Sequence, residues 1–169
     1  MSLTVIGGGA RSGKSRHALN LARQCGGRLA FIATARAEDE EMRQRIERHR
    51  QERGAEFTTF EEPLAIMARI ATEASRFDAI VIDCLTLWLS NMLFAGEAGI
   101  ETECARLLDC AAAAPSRVLL VTNEVGCGIV PENALARQFR DLAGTLNQLA
   151  ARAAGEVWWM AFGLPLKVK

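Results

Sequence analysis

This sequence predicts an α/β fold, a mainly parallel sheet with helices on both faces, and three observations predict it. Apolar runs of strand length alternate along the chain with segments of helical periodicity. Two of those runs, Ala79-Ile80-Val81-Ile82-Asp83 and Val118-Leu119-Leu120-Val121-Thr122, are almost unbroken in their hydrophobicity, as strands buried on both faces are. The length, 169 residues with 50% hydrophobic and 24% charged, suits one domain over 1–169 with a full core.

Taken in order, Leu3-Thr4-Val5-Ile6 reads as a strand and 15–23 as a helix. Arg28-Leu29-Ala30-Phe31-Ile32-Ala33 is a second strand, followed by a charged helix over 39–53. A short extended piece at 57–60 leads into a helix over 64–75, with Pro63 at its first position. The 79–83 strand precedes helices over 85–95 and 101–113, and Pro115 ends the second. The 118–122 strand precedes a long helix over 131–154, with Leu135, Phe139, Leu142, Leu146 and Leu149 at near-helical spacing. Strands at 156–161 and 166–168 complete the chain.

Composition narrows the function. Lys+Arg and Asp+Glu are both 20, so net charge is zero and broad non-specific nucleic-acid binding is disfavoured. No charged n-region precedes an apolar h-region, and no apolar run approaches the roughly 18 residues of a membrane span. The five cysteines are scattered, without C-x-x-C and without histidines at ligand spacing, which reads as reduced thiols in a cytoplasm.

Gly8-Gly9-Ala10-Arg11-Ser12-Gly13-Lys14-Ser15 fits G-x-x-x-x-G-K-[ST], between a strand and a helix. Glycines there let backbone N–H groups turn toward phosphates, and the helix N-terminus adds partial positive charge. In such a loop Lys14 reaches the β- and γ-phosphates and Ser15 holds Mg²⁺. Asp83 ends an hhhhD run, the Walker B pattern, so Ser15 and Asp83 are the expected metal contacts. The plain alternative for Asp83 is a cap on the next helix.

The 39–53 helix carries Asp39/Arg43 and Glu41/Arg45 at i,i+4, as a solvated helix does. Met42, Ile46 and His49 form one thin stripe, so His49 should face the protein body, with Arg48, Arg50 and Arg53 around it as an anion pocket. Spacing by itself favours a histidine packed in a helix interface. Glu61-Glu62-Pro63 is either a helix N-terminus or a carboxylate reading guanine, whose ring N–H and amine are both donors; spacing does not choose. Asn123-Glu124, after the 118–122 strand, opens a Gly- and Pro-containing loop that is a candidate substrate loop.

These motifs together, with Ile32-Ala33-Thr34-Ala35, Asp83-Cys84-Leu85-Thr86-Leu87-Trp88-Leu89 and Val121-Thr122-Asn123-Glu124-Val125-Gly126-Cys127-Gly128-Ile129-Val130-Pro131, resemble the bifunctional adenosylcobinamide kinase/adenosylcobinamide-phosphate guanylyltransferase family over essentially the whole chain. The resemblance implies a P-loop NTPase of RecA-like type that phosphorylates adenosylcobinamide with a nucleoside triphosphate. It then implies transfer of GMP from GTP to adenosylcobinamide phosphate. It implies Mg²⁺, GTP and ATP as ligands, a homo-oligomer with trimers among its forms, and a histidine-bound GMP. The matching nucleophile is His49, which reverses the spacing-based reading. The implied nucleotide contacts are Gly8, Gly9, Ala10, Arg11, Ser12, Gly13, Lys14, Ser15, then Ala33, Thr34, Ala35, then Arg50, Gln51, Glu52, Arg53, with Glu61 and Asp83. A departure is the short connection between Leu93 and Ala105. Two other readings stand beside this one: a single-function small-molecule kinase with His49 structural, and a nucleotide-dependent binding module.

Overall fold

The computed structural model describes residues 3–37 and 39–169, and of Arg45 the backbone alone. Among the described residues the strands are β1 (Leu3–Gly8), β2 (Leu29–Ala33), β3 (Phe57–Glu61), β4 (Ala79–Asp83), β5 (Arg117–Val121), β6 (Glu156–Ala161) and β7 (Leu164–Lys167). The helices are α1 (Lys14–Cys25), α2 (Glu40–Arg53), α3 (Ile66–Glu73), α4 (Leu85–Ala95), α5 (Ile100–Ala113) and α6 (Ala134–Ala153). They form one sheet in the order β3-β2-β4-β5-β1-β6-β7. Every pairing is parallel except β6 with β7, which close the sheet as an antiparallel edge.

The strand periodicity divides the core into two layers. Ile80 and Ile82 of β4 face one side, together with Val118 and Leu120 of β5 and Ala30 and Ile32 of β2. Helices α3, α4, α5 and α6 cover that side through Ile70, Trp88, Leu107 and Leu146, all essentially fully buried. Val81, Leu119, Phe31 and Ile6 face the other side, where α1 packs with Ala18, Leu19 and Ala22. Helices on both faces are therefore present, but the second face is thinly covered.

Register aligns the functional edge. Ala33, Asp83 and Val121 are paired across β2, β4 and β5, so the carboxyl ends of these strands lie side by side. Thr122 N–H donates to the Ile6 carbonyl and Glu124 N–H to Gly8, which joins the end of β5 to the end of β1. Ligands of open parallel sheets bind at this edge.

Some local expectations differ from the structure. Helix α3 begins at Ile66, because Glu62 takes the amides of Leu64 (3.3 Å) and Ala65 (2.9 Å) and holds Pro63 outside the helix. Helix α6 begins at Ala134, where Asn133 accepts from Ala136 N–H at 3.1 Å, a better N-cap than the Pro131 region offers. Leu135, on its first turn, is exposed and does not join the core. The last strand starts at Leu164, two residues earlier than its apolar pattern suggests, because pairing with β6 extends it.

Candidate active site

The chain leaves β1 at Gly8, with φ 149°, where a Cβ would lie 2.7 Å from the Met160 carbonyl and 2.9 Å from Ser12 Oγ. Only glycine allows β6 to pack this closely on the loop. Gly13, at φ 92°, is the left-handed residue that opens α1, and no side chain caps that helix. Its first amides therefore remain available to an anion. Lys14 is buried and its ammonium folds back over the loop, donating to the Gly9 carbonyl and to Ser12 Oγ (3.4 Å).

At the end of β4 the Asp83–Cys84 peptide is cis. Thr34 brackets it, accepting from Cys84 N–H at 2.7 Å and donating to the Cys84 carbonyl at 2.9 Å. Asn91, buried on α4, donates to the carbonyls of Thr34 (2.8 Å) and Pro63 (3.0 Å), fastening the loops after β2 and β3 to α4. Burial pushes the Cys84 thiol up to about 11, so it stays protonated at neutral pH and is no nucleophile there. Residue Cys84, not Asp83, is the N-cap of α4, so the capping role considered for Asp83 does not apply.

Helix α2 supports itself. Asp39 accepts from Met42 N–H at 2.7 Å, the first turn is acidic and the last basic, and Gln44–Glu40 and Gln51–Glu47 bond along one face. Arg43 pairs with Glu40 at 2.9 Å and not with Asp39, whose carboxylate is taken by the cap; the Arg45 side chain lies outside the described residues. Among the described residues of α2 only Arg53 is buried. Its guanidinium lies 4.1 Å over the Phe31 ring, and Arg23 donates to its carbonyl at 3.1 Å. Burial lowers the Arg53 pKa, and the neighbouring Asp83 carboxylate works against that fall.

These three segments enclose a cavity of about 410 Å³. Arg11, Ser12, Gly13, Lys14 and Ser15 line it from the loop, Ala33 from the end of β2 and Ala35 from the segment after it, Asp83 from β4, and Met42, Ile46, Arg48, His49, Glu52 and Arg53 from α2. The stripe read from the sequence thus faces the cavity and not a packed helix interface. Gly8, Gly9 and Ala10 shape the loop without lining the cavity, and Thr34 is wholly buried behind it. Arg50, Gln51 and Glu61 are exposed and outside the lining, while Glu62 is committed to capping α3. Arg16, Phe31, Leu87, Cys84, Asn123 and Gly163 also line it. Asn123 was detectable from its place after a buried strand. Gly163 was not, because the β6–β7 turn reaches the cavity only when the sheet closes.

One oxygen of Asp83 is buried and has no hydrogen-bond partner among the described residues. An orphaned carboxylate oxygen in a cavity that Ser15 of the first turn of α1 also lines fits a hard cation. Among the described residues no group of three or more His, Cys, Asp or Glu could hold a metal alone. Mg²⁺ suits this, because it is held by one or two protein oxygens with phosphate and water completing the shell.

The family described as "Cobinamide kinase / cobinamide phosphate guanyltransferase" matches residues 4–168. The chain belongs to this family. It is 44% identical over 166 residues to the bifunctional adenosylcobalamin biosynthesis protein CobP of Pseudomonas aeruginosa, covering 98% of this chain and 96% of that protein. It is 40% identical over 181 residues to the bifunctional adenosylcobalamin biosynthesis protein CobU of Salmonella typhimurium, covering 99% of each. Among solved structures it is similar to the RadB recombinase, with a TM-score of 0.54, 18% identity, and 94% of this chain against 73% of that one. That likeness concerns the fold alone. Among the described residues no helix of this member of the cobinamide kinase family is long and apolar enough to cross a membrane.

Proposed function

We propose that this chain is a single catalytic domain over residues 1–169 that phosphorylates adenosylcobinamide and then converts adenosylcobinamide phosphate to adenosylcobinamide-GDP. The observation that carries the reading is the joining of the phosphate loop, Asp83 and His49 in one cavity. Family membership and the paired kinase and guanyltransferase description support both halves of the activity. The likeness to a recombinase and the parallel sheet around β1 support a RecA-like P-loop classification.

In the guanylyl half, the unprotonated ring of His49 attacks the α-phosphorus of GTP. A P–N bond forms as the P–O bond to pyrophosphate breaks. Lys14, the uncapped amides of α1 and Arg53 surround the phosphates and stabilise the charge that develops on the leaving group. An oxygen of adenosylcobinamide phosphate then attacks the same phosphorus, the P–N bond breaks, and His49 is restored. In the kinase half, the aminopropanol hydroxyl of adenosylcobinamide attacks the γ-phosphorus of a triphosphate held in the same loop; the P–O bond to the nucleoside diphosphate breaks as the new ester forms, and the hydroxyl proton leaves to solvent. Ser15 and Asp83 would hold Mg²⁺, which would supply charge neutralisation at the phosphates. The five free thiols suit a cytoplasmic enzyme, and a homo-oligomer, trimers among its forms, agrees with the resemblance.

The test is labelling with α- and γ-labelled GTP in Mg²⁺, followed by denaturation. The expected result is protein-bound label from the α-position only, lost in acid, stable in base and absent from His49→Ala. A protein that binds GTP without α-label is the single-function kinase instead, with His49 in a packing role.

A further inference from the structure

One wall of the cavity takes no part in the chemistry above. Arg16, on the first turn of α1, and Gly163, in the β6–β7 turn, form it. The Arg16 side chain reaches back across the loop mouth: a Cβ on Gly13 would lie 3.8 Å from its Nη2, and a Cβ on Gly163 3.9 Å. Both glycines have φ well above zero, so the guanidinium lies between two backbone segments that no side chain crowds. Arg16 is exposed, and its side chain makes no ion pair or hydrogen bond among the described residues. Beside Gly163, Phe162 is fully exposed. An unpaired arginine at the edge of a phosphate site, next to a bare aromatic ring, suits a phosphate carried on a bulky apolar body.

Topology sets this wall against the histidine. Helix α2 leaves the sheet at β2, whereas Arg16 follows from β1 and Gly163 from β6, with β4 and β5 between β2 and β1. Three strand spacings separate β2 from β1, about 14 Å. Two in-line displacements at one phosphorus share an axis. If His49 enters opposite the departing pyrophosphate, the second nucleophile must enter opposite His49, from the side the pyrophosphate left. That side is the phosphate loop and the Arg16 wall.

We propose that Arg16 binds the phosphate of the acceptor, a phosphomonoester on a large apolar body, at the mouth of the loop that pyrophosphate has vacated, with Phe162 against that body. This rests on the histidine-GMP reading. The acceptor oxygen forms the new P–O bond while the imidazole leaves with the P–N electron pair, so no further reactant is needed. Arg16 neutralises the incoming dianion and points one oxygen at phosphorus.

The experiment separates the half-reactions. Protein labelled with α-labelled GTP is freed of nucleotide and chased with adenosylcobinamide phosphate or with 1-aminopropan-2-yl phosphate. Arg16→Met is expected to raise the acceptor KM about tenfold or more while the GTP KM for labelling moves less than about threefold, and Arg16→Lys to recover part of the loss. Phe162→Ser should raise the KM of the full acceptor and spare the aminopropyl phosphate, which has no ring body. Arg152→Met, an exposed charge loss on α6, should leave the acceptor KM unchanged. Absence of label from the unaltered protein overturns the histidine reading and this proposal together. Normal labelling with an unchanged acceptor KM in Arg16→Met, an equal rise of both KM values, or a variant that no longer labels overturns the Arg16 proposal alone.

Discussion

Helices α2 and α4 start from equivalent places and have opposite natures. Each follows a parallel strand, and the last residues of those strands, Ala33 and Asp83, are paired in register. Helix α4 reads LTLWLSNMLFA and buries Leu85, Trp88, Leu89 and Met92 in the larger core layer. Helix α2 reads EEMRQRIERHRQER and, among its described residues, buries only Arg53 at its final position. A helix with so little apolar surface gains little from docking, so its formation relies on its cap, its dipole-matched ends and its own side-chain pairs. The difference teaches that α4 is scaffold and α2 is equipment: one holds the edge of the sheet, and the other lays Met42, Ile46 and His49 over a cavity.

The largest effect expected from breaking this contrast is on chemistry. His49→Ala should abolish α-label from GTP, yet shift the melting midpoint by less than about 2 °C, since a half-exposed helix position away from the core rarely matters more. A midpoint drop comparable to a core variant would show that α2 is scaffold after all. Trp88→Ala should do the opposite. It empties a site that is 1% exposed and loses the indole bond to the Leu64 carbonyl at 2.9 Å. A cost of about 3–5 kcal/mol is expected by denaturant titration, before any specific effect on labelling.

Asn91→Ala tests where the two regions meet, because its amide ties α4 to the loops after β2 and β3. Leaving the Thr34 and Pro63 carbonyls unpaired should cost about 1–3 kcal/mol, read as a lower denaturant midpoint. Labelling should fall as well, since α2 follows from Thr34. Stability loss with an unchanged labelling rate at saturating GTP would confine Asn91 to the scaffold.

The smallest effect concerns His17, on the thinly covered face of the sheet. His17 packs edge-on against Trp158 at 5.0 Å, its Nε2 is buried without a partner, and burial lowers its pKa below 6.5. The unfolded chain then takes up a proton near 6.5 that the folded chain refuses. Stability on this account is fully present above about 6.5 and declines as pH falls through that value toward the lower folded one. His17→Gln should flatten this part of the midpoint-versus-pH curve. A wild-type midpoint that does not fall between pH 7 and 5 would contradict the assignment.

The fold was largely legible because its signals are local. Buried strands such as β4 and β5 must be apolar on both faces, and the loop at 8–15 needs glycine where the backbone turns sharply. The inner stripe of α2 was legible too, although its meaning was not: helical spacing identifies which residues share a face but not what that face meets. Glu61 and Glu62 were indistinguishable in sequence, and only the amides of Leu64 and Ala65 assign Glu62 to capping and leave Glu61 exposed. The expected Asp39–Arg43 pair failed for a similar reason, since an N-cap amide competed for the same carboxylate.

By itself, then, the sequence determined the alternation of elements, the phosphate-loop conformation and the aspartate ending β4, because each depends on residues within a few positions of one another. Tertiary structure alone decided which groups share the cavity. Strand order puts β1, β4 and β2 at one edge although their residues are far apart in the chain. It brings His49 to the cavity that the loop opens, and it carries Arg16 to the turn at Gly163. No spacing rule encodes such meetings, because they are set by how the whole sheet packs and closes.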